Sequence, residues 1–359
     1  MAATVAITEH DVVYAGGDKK IHYLAAGPAH GPLVLFLHGW PGTAITWKPQ
    51  LEALAGLGFR AVAPDMPGYG QSTARRVADD YCQERIVEGM MALLADTGRE
   101  AAVWVGHDWG AGVTSSVATQ HPGAVKALVN IAVPFATVER GWPAFLPLVD
   151  RALYPAAEYP YGQWDYMRHY EESFEDAVAW FEQDVEGLLK AALQPSPGAP
   201  ASRFAEATAT VRRDGGWFHA ARPPPPEATG PPVLAPDVYA SFIADMRKTG
   251  FWPGSCYYLH SERNAAYHAA APGRLLTQPV LFIHAAWDPI CDTKTSRLPE
   301  PMRAACRNLT EVTVEAGHFA QYEKPGEVNA ALIRFLVEEL PSEWPGYWDK
   351  GYTKRKTPA

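Results

Sequence analysis

The string Gly106, His107, Asp108, Trp109, Gly110 follows an apolar run, Ala102 to Val105, and precedes a segment of helical period beginning near Ala111. Glycines two before and two after a central residue relieve crowding in a tight strand-to-helix turn, so the middle side chain stands clear of the backbone. Here that side chain is a carboxylate. An Asp in such a turn also serves as a plain helix N-cap, so a chemical reading needs partners elsewhere. A carboxylate is already charged at neutral pH and attacks without a base to deprotonate it. It suits a saturated carbon bearing a leaving group, and the product is an alkyl ester of Asp108. A histidine's task then moves to the second step, activating water against the ester carbonyl.

Three further strings offer partners. His38, Gly39, Trp40, Pro41 and Gly42 end the apolar run Leu33 to Leu37; alone, this HGxP string reads as a loop with room for a cis proline. Asp288, in Trp287, Asp288, Pro289, follows Val280 to Ile283, and His318, in Gly317, His318, Phe319, follows the strand-like Leu309 to Val314. With 12 His in the chain, any single one is more often structural, and only its place after the last strand singles out His318. Together the strings resemble the α/β-hydrolase superfamily, whose order is nucleophile, acid, histidine. The resemblance implies that the backbone N–H groups of Trp40 and Trp109 face the Asp108 carboxylate as an oxyanion hole, supported by the His38, Gly39, Pro41 turn. It also implies that His318 is the base and that Asp288 accepts the imidazole N–H and fixes its tautomer. Asp292, in the loop four residues on, is the competing acid.

An Asp nucleophile leaves two substrate classes, an epoxide or an alkyl halide. An epoxide's oxygen stays attached and must be protonated as the ring opens, which suits tyrosine O–H donors; a departing halide wants indole or amide N–H donors. HGWPG at His38 to Gly42, GHDWG at Gly106 to Gly110 and GHFAQYEKP at Gly317 to Pro325 resemble the epoxide hydrolase family, over roughly residues 10 to 345. Gln163, Trp164, Asp165, Tyr166 and the stretch Thr249 to Asn264 are similar to the family's two cap segments that each hold a ring-oxygen donor, which implies Tyr166 and Tyr258. The second segment departs from the family's Tyr-Arg-Asn, reading Tyr258, Leu259, His260 with Tyr257 just before, so Tyr257 competes with Tyr258. The implied reaction turns an epoxide and water into a vicinal diol, with no metal and no organic cofactor. A haloalkane or haloacid dehalogenase using the same Asp is the alternative, with Trp109 as halide donor, although Trp40 stands where such enzymes usually place Asn. A non-hydrolytic binding protein on the same fold is the alternative of a different class.

The elements that must hold these residues follow from periodicity. Short β-rich runs at Leu33 to Leu37, Ala61 to Ala63, Ala102 to Val105, Leu128 to Val133 and Val280 to Ile283 alternate with helical segments such as Tyr81 to Thr97 and Ala111 to Gln120. That alternation predicts an α/β fold with a mostly parallel central sheet flanked by helices. Val12 to Tyr14 and Ile21 to Leu24, around Gly16 and Gly17, predict an antiparallel hairpin at its edge. Between about Phe135 and Leu276 aromatic residues become dense and prolines frequent, which predicts an inserted helical cap. The expected division is core at 1–134 and 277–345, cap at 135–276 and a tail at 346–359. Pro223 to Pro226 reads as a stiff extended spacer on the cap surface. The cap aromatics Trp142, Phe145, Tyr154, Tyr159, Tyr161 and Phe174 suit either an apolar pocket or plain core.

Composition sets the outer bounds. At 359 residues, 47% apolar and 20% charged, the chain has the balance of a globular protein with a large core. A formal charge of −9 opposes binding to a phosphate backbone, so nucleic acid is not an expected partner. The basic trio Lys354, Arg355, Lys356 reads as a solvated terminus. Met1 to His10 lacks the basic and apolar regions of a signal peptide, and no apolar stretch reaches the roughly 20 residues that span a bilayer. Cys82, Cys256, Cys291 and Cys306 are widely spaced and read as reduced, buried thiols, so the expected compartment is cytoplasmic. The expected partner is a small hydrophobic epoxide, with monomer and homodimer both open.

Overall fold

The computed structural model describes residues 5–200, 202–271 and 275–345. Eight strands form one sheet in the order β1-β2-β4-β3-β5-β6-β7-β8. They are β1 Ile7–Tyr14, β2 Lys19–Ala26, β3 Leu33–Leu37, β4 Arg60–Pro64, β5 Ala102–His107, β6 Val125–Ile131, β7 Leu276–Ala285 and β8 Cys306–Val314. The expected hairpin β1–β2 is antiparallel at one edge, β2 runs antiparallel to β4, and all other pairs are parallel.

Alternate side chains explain why β3 and β5 read as unbroken apolar runs. Leu33, Leu35, Leu37 and Trp104 pack on one face, with α2 Gln83–Asp96 and α3 Trp109–Gln120, while Val34, Phe36, Val103 and Val105 pack on the other. That second face is covered by α1 Lys48–Gly56 and a carboxyl-terminal helix, Pro325–Glu339. A sheet covered on both sides has no polar face to alternate with. Truncating one such residue, Leu35→Ala for example, costs about 2–5 kcal/mol. The α3 helix is buried from Trp109 to Thr119, its glycines, alanines and serines allowing close approach to the sheet.

Strand ends differ from expectation in one informative place. β6 stops at Ile131 rather than Val133 because Ala132 adopts a left-handed φ of 66°, and it begins at Val125, where Lys126 masks the apolar pattern.

After β3 the chain crosses to β4 on one side, then returns past β3 to β5 on the other. Such a reversal opens a crevice at the carboxyl ends of the two central strands. Leu37 pairs with Gly106, so the turns after β3 and β5 lie side by side. Between β6 and β7 the described residues form only helices, 3-10 turns and loops, including α4 Asp165–Glu172, α5 Phe174–Phe181, α6 Val185–Ala192, α7 Pro236–Thr249 and α8 Ser261–Ala269. Residues 346–359, with the basic trio, lie outside the described residues. Among the described residues no helix is long and apolar enough to cross a membrane. All four cysteines are free and buried.

Candidate active site

Asp108 occupies the one-residue turn between β5 and α3, with φ 53° and ψ −125°. A non-glycine residue held there stores about 1–3 kcal/mol of strain, which persists only where the surroundings enforce it. They do so through close approach. A Cβ at Gly106 would lie 2.4 Å from the Gly110 carbonyl oxygen, and one at Gly110 would lie 2.1 Å from that of Leu37. The glycines thus admit the helix start against two strands, and the left-handed conformation falls on the Asp itself.

The Asp108 carboxylate meets two backbone donors. Its Oδ1 accepts the Trp40 N–H at 2.8 Å, and the nearby Trp109 N–H at the start of α3 helps to hold the carboxyl below its ordinary value. Gly39 lies closer still: a Cβ there would sit 2.3 Å from Oδ1. The Trp40–Pro41 bond is cis. His38 braces this turn, its Nδ1–H donating to the Gly39 carbonyl at 2.9 Å and its Nε2 accepting the Met66 N–H at 3.0 Å. Burial pushes His38 down to about 4, so it stays neutral in that tautomer.

His318 stands between two carboxylates. Its Nε2 lies 3.4 Å from Asp108 Oδ2, and its Nδ1–H donates to Asp288 Oδ2 at 2.6 Å. The other Asp288 oxygen accepts the N–H groups of Ile290 at 2.9 Å and Cys291 at 3.0 Å. Asp292, the competing acid, is occupied by the Lys294 and Thr295 N–H groups and lies 3.5 Å from Arg203, with no bond to His318. His107 Nε2–H donates to the His318 carbonyl at 2.8 Å, and the Gly317 N–H donates to Glu323 at 3.0 Å, so both ends of the histidine turn are tied. Burial works against charge on His318, but Asp288 and Asp108 outweigh it and push the imidazole up to about 10. Burial likewise works against charge on Asp108, yet the His318 hydrogen bond and charge hold its carboxyl below the ordinary value.

Across a cavity of about 480 Å³ from Asp108 and His318 stand Tyr166, one residue into α4, and Tyr258, in the Cys256–Leu259 turn. Their rings are 6.0 Å apart at 72°. Tyr258 stands edge-on to Trp109 at 5.0 Å. Tyr257 does not line this cavity, and its hydroxyl donates to the Pro67 carbonyl at 2.9 Å. Asp165 anchors the start of α4, accepting the Arg212 N–H at 2.8 Å and lying 3.4 Å from its guanidinium.

A family profile for the alpha/beta hydrolase fold matches residues 32–325. Epoxide hydrolase A of Mycobacterium tuberculosis is 32% identical over 331 residues, covering 89% of this chain and 94% of the relative. An epoxide hydrolase of Caballeronia sordidicola is 32% identical over 339 residues, covering 93% and 94%. The chain belongs to the epoxide hydrolases of the α/β-hydrolase fold. The crystal structure of epoxide hydrolase A from Mycobacterium thermoresistibile superposes with a TM-score of 0.75 at 29% identity, covering 93% of this chain and 99% of that one. The structure of an epoxide hydrolase from an endophytic Streptomyces gives 0.76 at 28% identity, covering 92% and 95%.

Much of the pocket wall of this epoxide hydrolase escaped sequence reasoning. Tyr170, Phe181, Leu188, Trp217, Phe218 and Phe319 line the cavity, while the six aromatics singled out in the cap do not. Those six pack within the cap instead: Trp142 on Phe145, Tyr154 and Tyr159 against Phe204, Tyr161 under two arginines, Phe174 against Trp252. The one available signal for Tyr170 was its place four residues after Tyr166, on the same face of α4.

One donor group resembles a metal site, the ligand atoms of Asp288, Cys291 and His318 lying within 4.8 Å of one another. It does not fit a cation. Both Asp288 oxygens and the His318 Nδ1 are already paired with each other or with backbone N–H groups. Burial pushes the Cys291 thiol well up, which leaves it a neutral thiol rather than a thiolate ligand.

Proposed function

We propose that the protein converts an epoxide and water into a vicinal diol through an ester on Asp108. The observation that carries the reading is a strained carboxylate facing two phenols across an apolar cavity, with one oxygen held by the Trp40 N–H and the other 3.4 Å from His318. Oδ2, the oxygen that the Trp40 N–H leaves free, attacks a ring carbon, and the ring C–O bond breaks. Tyr166 and Tyr258 both donate to the ring oxygen, and one of them protonates the departing alkoxide, which would otherwise be an unshielded charge in an apolar site. Burial raises both phenols well above their ordinary value, so they are protonated and able to donate.

Esterification removes the Asp108 charge, and with it part of what holds the proton on His318. That proton restores the phenolate, and the neutral imidazole, oriented by Asp288, takes a proton from water. Hydroxide adds to the ester carbonyl, whose oxygen is Oδ1 at the Trp40 N–H, with the Trp109 N–H as the proposed second donor to the negative charge that develops in the tetrahedral intermediate. Collapse releases the diol and returns Asp108 and His318 to their charged forms, so the cycle balances with no cofactor. The chain divides in this reading into a core of 1–134 and 277–345, carrying Asp108, Asp288 and His318, and a cap of 135–276, carrying the phenols.

A small hydrophobic epoxide is the substrate that this wall suits. The test is a single turnover of styrene oxide in heavy-oxygen water, followed by intact-protein mass. The first diol is expected to carry no label and Asp108 to gain it, and His318→Gln is expected to accumulate the ester mass. Halide release from haloalkanes with no diol from any epoxide would overturn the reading in favour of a dehalogenase.

A further inference from the structure

Three phenols line the cavity where ring opening needs two. Tyr170 is fully buried, lies one helical turn after Tyr166, and sets its ring edge-on to Tyr258 at 5.0 Å. The Trp217 Nε1–H donates to its hydroxyl oxygen at 2.9 Å. An indole only donates, so this contact occupies a lone pair on the phenol and leaves the phenolic proton uncommitted. Among the described residues no hydrogen bond uses that proton.

A hydroxyl proton left unplaced in an apolar wall costs about 1–3 kcal/mol unless a ligand or water accepts it. The epoxide oxygen is no candidate. It has two lone pairs, and Tyr166 and Tyr258 take both in the reading above, on which this inference rests. The third donor therefore answers to a different oxygen. We propose that Tyr170, oriented by Trp217, donates to a second acceptor on the substrate, so that the site selects epoxides carrying an ether, ester or hydroxyl oxygen near the ring.

The test compares two substrates of equal chain length, an alkyl glycidyl ether and the all-carbon terminal epoxide, by kcat/KM. The ether-to-carbon ratio is expected to fall about five- to tenfold in Tyr170→Phe, the worth of one neutral hydrogen bond. Trp217→Phe keeps the phenol but removes its anchor, and the ratio is expected to fall in the same direction by about two- to threefold. Ratios within twofold of wild type in both variants would overturn the proposal. If Tyr170→Phe does not fold, Trp217→Phe decides alone. Failure of the wild type to form an Asp108 ester from either substrate would instead sink the epoxide reading itself.

Discussion

Asp108 and Tyr258 face the same cavity, yet different forces hold them. On the core side the two carboxylates are fixed by backbone, the Trp40 N–H on Asp108 and two N–H groups on Asp288, with glycines whose Cβ would lie within 2.5 Å of a neighbouring atom, and Asp288 in turn holds His318. On the cap side the phenols are held by edge-on aromatic packing and by an arginine clamp at the start of α4. Backbone anchoring fixes position to fractions of an ångström, whereas ring packing tolerates exchange of one apolar shape for another. The core should therefore govern whether the reaction happens at all, and the cap which epoxide reacts and how fast.

The sharpest break of that contrast is Asp108→Asn. Diol formation, followed by chromatography on protein checked to be free of deamidation, is expected to fall about a thousandfold or more. Gly39→Ala probes the same side without replacing a functional group. Its Cβ would sit 2.3 Å from Asp108 Oδ1, and a displacement of that carboxylate is expected to lower kcat about a hundredfold. Wild-type turnover in Gly39→Ala would mean that the core tolerates movement as the cap does.

The adjacent tyrosines sharpen the contrast from the other side. Tyr258→Phe is expected to slow ester formation about ten- to a hundredfold in rapid-mixing experiments, with little change in melting temperature. Tyr257→Phe loses the bond to the Pro67 carbonyl, and is expected to cost about 1 kcal/mol of stability while ester formation stays within about twofold. The reverse pattern would exchange their assignments.

The smallest effect is thermodynamic. His318 is raised from its ordinary value of 6.5 to about 10. A group whose folded pKa is raised contributes stability that is complete below the unfolded pKa and lost as pH rises through the folded one. Melting temperature is therefore expected to decline between about pH 6.5 and pH 10 by a few degrees more in wild type than in His318→Gln. Parallel curves would show that the imidazole carries no charge between its two carboxylates.

How much of this was legible beforehand follows the same division. The strings around Asp108, His38 and His318 could be read because a tight turn at a strand end restricts which residue types fit at fixed offsets. The choice of Asp288 over Asp292 rested on strand position; both accept two backbone N–H groups, and what separates them in the structure is the 2.6 Å bond from His318 to Asp288. Tyr258 and Tyr257 are neighbours of the same residue type, and only the tertiary structure distinguishes them, with Tyr258 lining the cavity and Tyr257 bonded to the Pro67 carbonyl. The cap aromatics left pocket and core both open for a related reason, since a ring on a half-buried helix satisfies the same hydrophobic pattern whether it faces a cavity or another ring.

The sequence by itself determined the α/β alternation, the carboxylate at the elbow, and the placing of Asp108, Asp288 and His318 after strands, because each depends on interactions among residues near in the chain or on strand periodicity. Only the tertiary structure decided which phenols face Asp108, that Trp217 anchors Tyr170, and where the cavity lies. Those relations join residues tens to hundreds of positions apart, such as Tyr166 with Tyr258 and Asp108 with His318. Distance along the chain carries no record of which side of a ring or carboxylate is left open when the layers close.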